Sequence, residues 1–295
     1  MKKIVIMPNA CKDPGYLVTR ETVGVLSSAG AEIYMQEDLR AGFPDIGIHW
    51  YGATFPDEAE AIAVVGGDGS ILDAAVYALA RDIPLIGINM GRLGYLTELE
   101  ADEVGKLAGI FENEPRIRRY MTLQVSLVRS GVETVLSHCP VNDVVVGQGN
   151  GEGMSELLLE DGVGNRLSYL ADGLILATPL GSTAYTLSAG GPVIDASLDA
   201  ICVTPICAHS LFSRSLLFPP EYTISVRNVS AHRGSLRVSL DGAENYELFP
   251  DDCVRVTRSR KVLKMLTLKK HSVLDALFRK LQLLNQTDRR FDHEK

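Results

Sequence analysis

Cysteine is sparse and unpaired in this chain. Cys11, Cys139, Cys202, Cys207 and Cys253 are odd in number and show no C-x-x-C spacing. That argues against a zinc cluster or a disulfide framework and reads as reduced thiols of a cytosolic protein. No apolar run approaches membrane-spanning length, and the four apolar residues after Lys3 are too few for a signal peptide. A cytoplasmic protein with no membrane partner is therefore expected. Positive charge is in deficit, with 29 Lys+Arg against 37 Asp+Glu and a net charge of −8, which argues against a general nucleic-acid binder. The deficit is uneven: residues 255–295 carry a balance of +8 and the remainder −16, as a solvated basic helix face would give. The common phosphate and hydrolase signatures are also missing. There is no G-x-x-x-x-G-K-[ST] loop, no G-x-G-x-x-G fingerprint, no zinc-type histidine pairing and no G-x-S-x-G elbow. Hydride transfer of the ordinary Rossmann kind is disfavoured accordingly.

What is present is globular in composition, 46% hydrophobic and 22% charged over 295 residues, enough for one large or two modest domains. The first part alternates. Lys3–Met7 reads as a strand, Tyr16–Ala29 as a helix, Glu32–Met35 as a strand and Ala41–Pro56 as a loop or excursion. Then come a buried strand at Ala61–Val65, a helix, a strand at Pro84–Asn89 and a weak amphipathic helix at Ala101–Asn113. Such alternation predicts a doubly wound, mostly parallel sheet with ligands at the carboxyl ends of its strands. After Arg119 short strands dominate, punctuated by Asp161-Gly162 and Asp241-Gly242 turns. The expected organisation is an α/β domain over 1–119, a mostly β domain over 120–271, and a closing helix and tail over 272–295. Leu274, Leu277, Phe278, Leu281 and Leu284 form an apolar stripe in that last segment, suited to packing on the α/β domain or on a partner subunit.

Four stretches carry candidate chemistry. In Gly66-Gly67-Asp68-Gly69-Ser70 the glycines allow close approach, and amides beside a helix start suit a phosphate. Ser70 and Asp73 have capping-box spacing, which leaves Asp68 over. It is either an Asx-type turn residue or a group that holds a metal-bound phosphate chain or takes a proton from a hydroxyl. Asn89–Gly94 (NMGRLG) is a tight turn after a strand or a wall of the same crevice. Asn142-Asp143 heads a valine run, for which a turn alone is a sufficient account. Tyr169–Val193 holds Asp172-Gly173, which can be a simple hairpin turn. The stretch then packs turn formers, hydroxyls and a tyrosine into Thr178–Tyr185 before Gly190-Gly191, a mixture that suits ribose and base better than a packed core.

Taken together in order and spacing, Gly66–Gly69, Asn89-x-Gly91-x-Leu93-Gly94, Asn142-Asp143 and Asp172-Gly173 through Gly190-Gly191 resemble the bacterial NAD kinases. The resemblance covers about residues 60–245. GGDG is shared with 6-phosphofructokinases and diacylglycerol kinases, whereas the DG…TP-x-GSTAY…S-AGGP block is particular to the NAD kinases. It implies phosphorylation of NAD at the 2′-hydroxyl of its adenosine ribose, with ATP and NAD as substrates and Mg²⁺ or another divalent metal bound mainly through ATP. A homo-oligomer, dimer or tetramer, is also implied. Asp68 is implied as the catalytic acidic residue, with Gly66, Gly67, Gly69 and Asn89 around the nucleotide phosphates. Asn142 and Asp143 would hold the ribose, and Thr183, Ala184, Tyr185, Thr186, Leu187 and Ser188 the adenosine. Asp172 would lie at the nicotinamide end, and Leu170, Leu180 and Ala243 complete the implied nucleotide contacts. The chain departs from the pattern at Asp143 (commonly glutamate), Leu180 (a small hydroxyl residue) and Ala243 (glutamine). The last two remove polar contacts. Rival readings are a non-catalytic NAD(H)-binding regulator and a GGDG-type kinase acting on a lipid or sugar.

Overall fold

A computed structural model describes residues 2–43, 47–91, 94–112, 116–147, 154–209, 213–230 and 235–269. These divide into two compact units: the described residues of 1–119 with those from 263 onward, and the described residues of 120–262. The apolar stripe of 272–284 lies outside the described residues.

The first unit is a parallel sheet with helices. Its elements are β1 (Lys3–Pro8), α1 (Leu17–Ser28), β2 (Glu32–Gln36), β3 (Ile48–Tyr51), β4 (Ala61–Gly66), α2 (Asp68–Arg81), β5 (Leu85–Asn89) and β6 (Leu99–Glu100). A 3₁₀ segment at Ala101–Ala108 and one α turn, α3 (Gly109–Glu112), follow. The strands lie in the order β5-β4-β1-β2-β3, all parallel. From β1 the chain crosses to β2 in one direction, and from β4 to β5 in the other. Right-handed crossovers therefore place α1 and α2 on opposite faces. The core between the sheet and α1 contains Ile4, Ile6, Val23, Leu26, Ile33, Val65 and Ile88, while α2 buries Ile71, Ala74, Ala75 and Ala78. The doubly wound arrangement is the expected one. Within 41–56, where a loop or excursion was expected, Ile48–Tyr51 pairs in parallel with β2. The alternation there is short and its flanks are glycine-rich, so tertiary pairing decides the conformation. The expected helix at 101–113 is largely 3₁₀.

The second unit is, in its described residues, mostly strand, with a 3₁₀ segment at Leu180–Thr183 and one helical turn. It contains β7 (Arg116–Arg129, entered from the first unit), β8 (Val132–Val135), β9 (Asp143–Gly147), β10 (Ser155–Glu160), β11 (Arg166–Ala171), β12 (Gly173–Ala177) and one helical turn, α4 (Tyr185–Ser188). It continues with β13 (Ile201–Ile206), β14 (Leu216–Phe218), β15 (Ile224–Asn228), β16 (Leu236–Leu240), β17 (Glu244–Leu248) and β18 (Cys253–Thr267). One layer runs β11-β10-β15-β18, with β7 on β18 and β8 on β7; the other runs β14-β13-β12-β9-β16-β17. Their inner faces share one core, including Leu123, Val125, Val144, Val146, Leu157, Leu174, Val203, Val238 and Val256. Asp172-Gly173 is not a hairpin turn: β11 and β12 belong to different sheets, so the chain changes layer there. The last five residues of β18 belong to the first unit, where Met265 pairs with Leu85 and Leu266 joins the core. Residues 263–269, expected in the second domain, therefore belong to the first unit. Among the described residues no helix is long and apolar enough to cross a membrane.

Close backbone packing sits at Gly181, where a Cβ would lie 2.7 Å from the Asn142 Cα and nearer still to its carbonyl. Gly181→Ala should cost about 1–3 kcal/mol by overpacking, read as a lower denaturation midpoint. Gly24 in the middle of α1 has nothing within 4 Å of its missing Cβ. Gly24→Ala should stabilise by about 0.5–1 kcal/mol, read as a higher midpoint.

Candidate functional site

The topological switch of the first unit lies between β1 and β4, where doubly wound sheets open a crevice at the strand ends. Two loops meet there. After β1, the Asn9 carbonyl oxygen Oδ1 accepts the N–H groups of Cys11 (3.1 Å) and Lys12 (3.2 Å). Asn9 Nδ2 donates to Ser70 Oγ at 2.9 Å, and the Asn9 N–H donates to the Val65 carbonyl. Buried Asp13 accepts from the Val18 and Thr19 amides and from the Thr19 hydroxyl at 2.6 Å, which fixes the start of α1. The result lays Lys12 over the second loop: a Cβ at Gly67 would lie 2.5 Å from Lys12 Nζ. A Cβ at Gly66 would lie 2.5 Å from Ser70 Oγ, whereas Gly69 faces open space.

Helix α2 begins at Asp68 with Gly67 as its N-cap and no side-chain cap, three residues before the start expected from Ser70 and Asp73. The capping role read for that pair is corrected. Ser70 Oγ serves Asn9, and Asp73 is exposed on the second turn. The glycine backbone itself turns the chain into the helix, which the spacing of hydroxyl and acid does not reveal. The Asp68 carboxylate accepts the amides of Tyr95 (3.0 Å, Oδ2) and Leu96 (3.1 Å, Oδ1). An ionised carboxylate has about four acceptor positions, so each oxygen keeps room for a further donor. Buried Asn89 uses both ends of its amide, donating to Glu100 and accepting from Gly91. It shapes the turn beyond β5.

In the second unit a cavity of about 490 Å³ is lined by Asn142, Asp143, Val145, Ala184, Tyr185, Arg237, Ser239, Asp241, Gly242 and Asn245. Asp241 builds one wall. It sits in the left-handed region (φ 48°) ahead of Gly242 (φ 72°), the conformation of a tight hairpin between β16 and β17. Its carboxylate accepts three successive amides, those of Val141 (2.8 Å), Asn142 (2.8 Å) and Asp143 (3.0 Å). His138 Nε2 lies 3.3 Å from the same group, and that hydrogen bond raises the imidazole above its ordinary value against the opposing effect of burial. With their backbones held, the Asn142 amide and the Asp143 carboxyl line the cavity, beside a Tyr185 that is 45% exposed. Burial pushes the Asp143 carboxyl up from 3.8 to about 7, and the like charge of Asp241 adds to it. Neither Asp241 nor His138 was singled out as a site residue in the sequence. The Asp-Gly signal gives the turn but not a partner a hundred residues away.

The other expected residues spread out. Ala184 reaches the cavity with Tyr185; Thr186 is buried with its hydroxyl unpartnered; Thr183 donates to the Leu180 carbonyl; Leu187 is half-buried and Ser188 exposed. Leu180 is buried in the turn before α4, so it sits as an apolar packing residue. Half-buried Leu170 accepts the His209 amide through its carbonyl. Asp172 marks the change of sheet, and Ala243 is an exposed turn residue. None of these last eight, from Thr186 to Ala243, lines the cavity.

A glycine loop at the switch point of a doubly wound sheet, with a polar cavity on a β sandwich, defines a nucleotide-handling protein of two units. Comparison with known proteins gives the family. The ATP-NAD kinase N-terminal domain model matches residues 4–115 and the ATP-NAD kinase C-terminal domain model matches residues 141–268. The chain belongs to the ATP-NAD kinase family. It is 33% identical over 285 residues to the NAD kinase of Caldanaerobacter subterraneus subsp. tengcongensis, covering 95% of this chain and 99% of that one. Identity to the NAD kinase of Symbiobacterium thermophilum is 33% over 289 residues, covering 95% and 99%. Among solved structures, yeast NADH kinase complexed with NADH matches with a TM-score of 0.82 at 22% identity, covering 96% of this chain and 88% of that one. An NAD kinase from Archaeoglobus fulgidus in complex with ATP matches with a TM-score of 0.70 at 21% identity, covering 95% and 99%. At these identities the two structures share the fold.

The raised Asp143 has a pH signature. Between about pH 4 and 7 the unfolded chain releases this proton and the folded chain keeps it, so stability falls as pH rises through that window and the effect is constant above it. Asp143→Asn removes the contribution. Its unfolding free energy by denaturant titration should exceed the parent's at pH 8, by about 2–4 kcal/mol, and the gap should close toward pH 4. A gap independent of pH would place the Asp143 pKa near its ordinary value.

Proposed function

We propose that the chain transfers the terminal phosphoryl group of ATP to the 2′-hydroxyl of the adenosine ribose of NAD, producing NADP. The observation that carries this reading is the cavity of the second unit. There a carboxyl and an amide on a rigidly held backbone stand beside an exposed aromatic ring. Ribose hydroxyls are donors and acceptors that such a pair can bind, and the ring offers a face to adenine. Family membership over both domains supports it.

The first unit supplies the phosphate chemistry. The amides at the start of α2 and the Lys12 ammonium over Gly67 favour an anion. Mg²⁺ bound to ATP would neutralise charge on the phosphates. Asp68 accepts the proton of the 2′-hydroxyl. The freed oxygen bonds to the terminal phosphorus, the bond from that phosphorus to the bridging oxygen breaks, and ADP leaves.

A second reading has its own support. The two amides on Asp68 make it a staple of the 95–96 backbone, a role that a non-catalytic NAD(H)-binding regulator would also need. Purified protein with ATP, Mg²⁺ and NAD should form NADP; binding of NAD without any NADP would favour the regulator. Asp68→Asn should lower turnover about 10²–10⁴-fold, with NAD affinity by calorimetry changed less than about tenfold. Asp73→Asn, on the exposed second turn, should leave turnover and stability nearly unchanged. A turnover loss below tenfold for Asp68→Asn would leave Asp68 only its staple role. Lys12→Met should raise the KM for ATP more than that for NAD. Equal changes would remove the lysine from the phosphate site.

A further inference from the structure

Strand β16 alternates cleanly. Leu236, Val238 and Leu240 enter the sandwich core, while Arg237 and Ser239 line the cavity. On β9, Val144 and Val146 enter the core, so Asp143, Val145 and Gly147 share the cavity face. The ladder sets Ser239 opposite Val145 and Arg237 opposite Gly147. On its other side Gly147 pairs with Gly173. Arg237 therefore borders a row in which two adjacent strands carry no side chain. A Cβ at Gly147 would lie 3.2 Å from the Asp172 carbonyl oxygen, and one at Gly173 would lie 2.6 Å from that of Val146. The floor beside the arginine is bare backbone.

The guanidinium makes no ion pair within the described residues. Glu247, its cross-strand neighbour on β17, accepts instead from Ser235 Oγ at 3.3 Å. Asp241, an acid of the same lining, is otherwise engaged: it holds three amides and His138. An unpaired, always-charged, five-donor fork facing a cavity is suited to a multi-oxygen anion.

We propose that Arg237 grips the pyrophosphate of the dinucleotide, setting the affinity of this cavity for dinucleotide over nucleoside. The assignment rests on the reading that Asn142 and Asp143 hold the adenosine ribose. The competing anion is the newly transferred 2′-phosphate, and position separates the two. That phosphate is carried on the ribose, beside the Asp143 carboxyl. Arg237, on β16, pairs with Gly147, which stands four residues further along β9 than Asp143, about 13 Å at the rise of a strand. A long side chain there meets the link leading away from the ribose.

Calorimetry with adenosine, adenosine 2′-monophosphate and ADP-ribose tests this on the full-length chain and on Arg237→Met. The variant should bind ADP-ribose about 10- to 100-fold more weakly and the other two within about twofold of the parent. Arg237→Lys should recover part of the loss. In turnover, the KM for NAD should rise by a similar factor while the KM for ATP stays put. Selective loss of adenosine 2′-monophosphate would overturn the assignment in favour of the transferred phosphate. Equal weakening of all three ligands, or no weakening, would overturn it as well. A parent protein that binds none of the three sinks the ribose reading and this assignment with it. Parent binding of ADP-ribose that persists unchanged in Arg237→Met sinks this assignment alone. Matching melting temperatures of parent, Arg237→Met and Arg237→Lys are expected for an exposed position.

Discussion

Three consecutive amides, those of Val141, Asn142 and Asp143, converge on the single carboxylate of Asp241. Consecutive N–H groups of an extended strand alternate in direction, so one acceptor can collect three only where the chain is curled before it enters the ladder. That curl delivers the Asn142 and Asp143 side chains to the cavity, and it brings the Asn142 carbonyl against Gly181 and to the Thr178 amide. The turn before α4, with Ala184 and Tyr185 following, is thereby fixed to the same point. A charge-assisted acceptor shared by three donors costs little to hold and much to remove. The wall of the cavity depends on a residue that itself lies at a hairpin tip.

The first unit uses the same device at its own strand ends. Asp13 gathers two amides and a hydroxyl, Asn9 gathers two amides and reaches Ser70, and Asp68 gathers the amides of Tyr95 and Leu96. Loops that bind phosphate carry few apolar contacts, so side-chain acceptors do the work of a core. Each acid thereby combines a structural duty with its charge. For Asp68 the two duties are compatible because two amide bonds leave half of its acceptor positions open.

The strands with strong patterning were legible. Lys3–Met7 and Ala61–Val65 show continuous apolar runs, and the structure places them within a residue or two. The elements that were not legible have physical reasons. Ile48–Tyr51 becomes a strand through its parallel partner, Glu32–Gln36, and not through its own pattern. The first residues of α2 carry no side-chain cap to announce them. In the cavity, Asn142, Asp143, Ala184 and Tyr185 could be named in advance because they lie in motif blocks. Asp241, His138 and Arg237 could not, since their roles arise from pairings across a hundred residues or from the face of a strand on which they happen to fall.

The strand that begins at Cys253 has a consequence for the order in which the molecule is made. Its last residues complete the first unit, where Met265 pairs beside Leu85 and the side chain of Glu98 accepts the backbone amides of Leu268 and Lys269 at 2.6 Å each. On a ribosome, the chain from residue 120 to residue 262 must emerge before that pairing is possible. Until then the first unit presents an open strand edge at Leu85. The sandwich, continuous in sequence, can close meanwhile. The enzyme is thus assembled from the inside of its sequence outward, and the unit translated first is the one finished last.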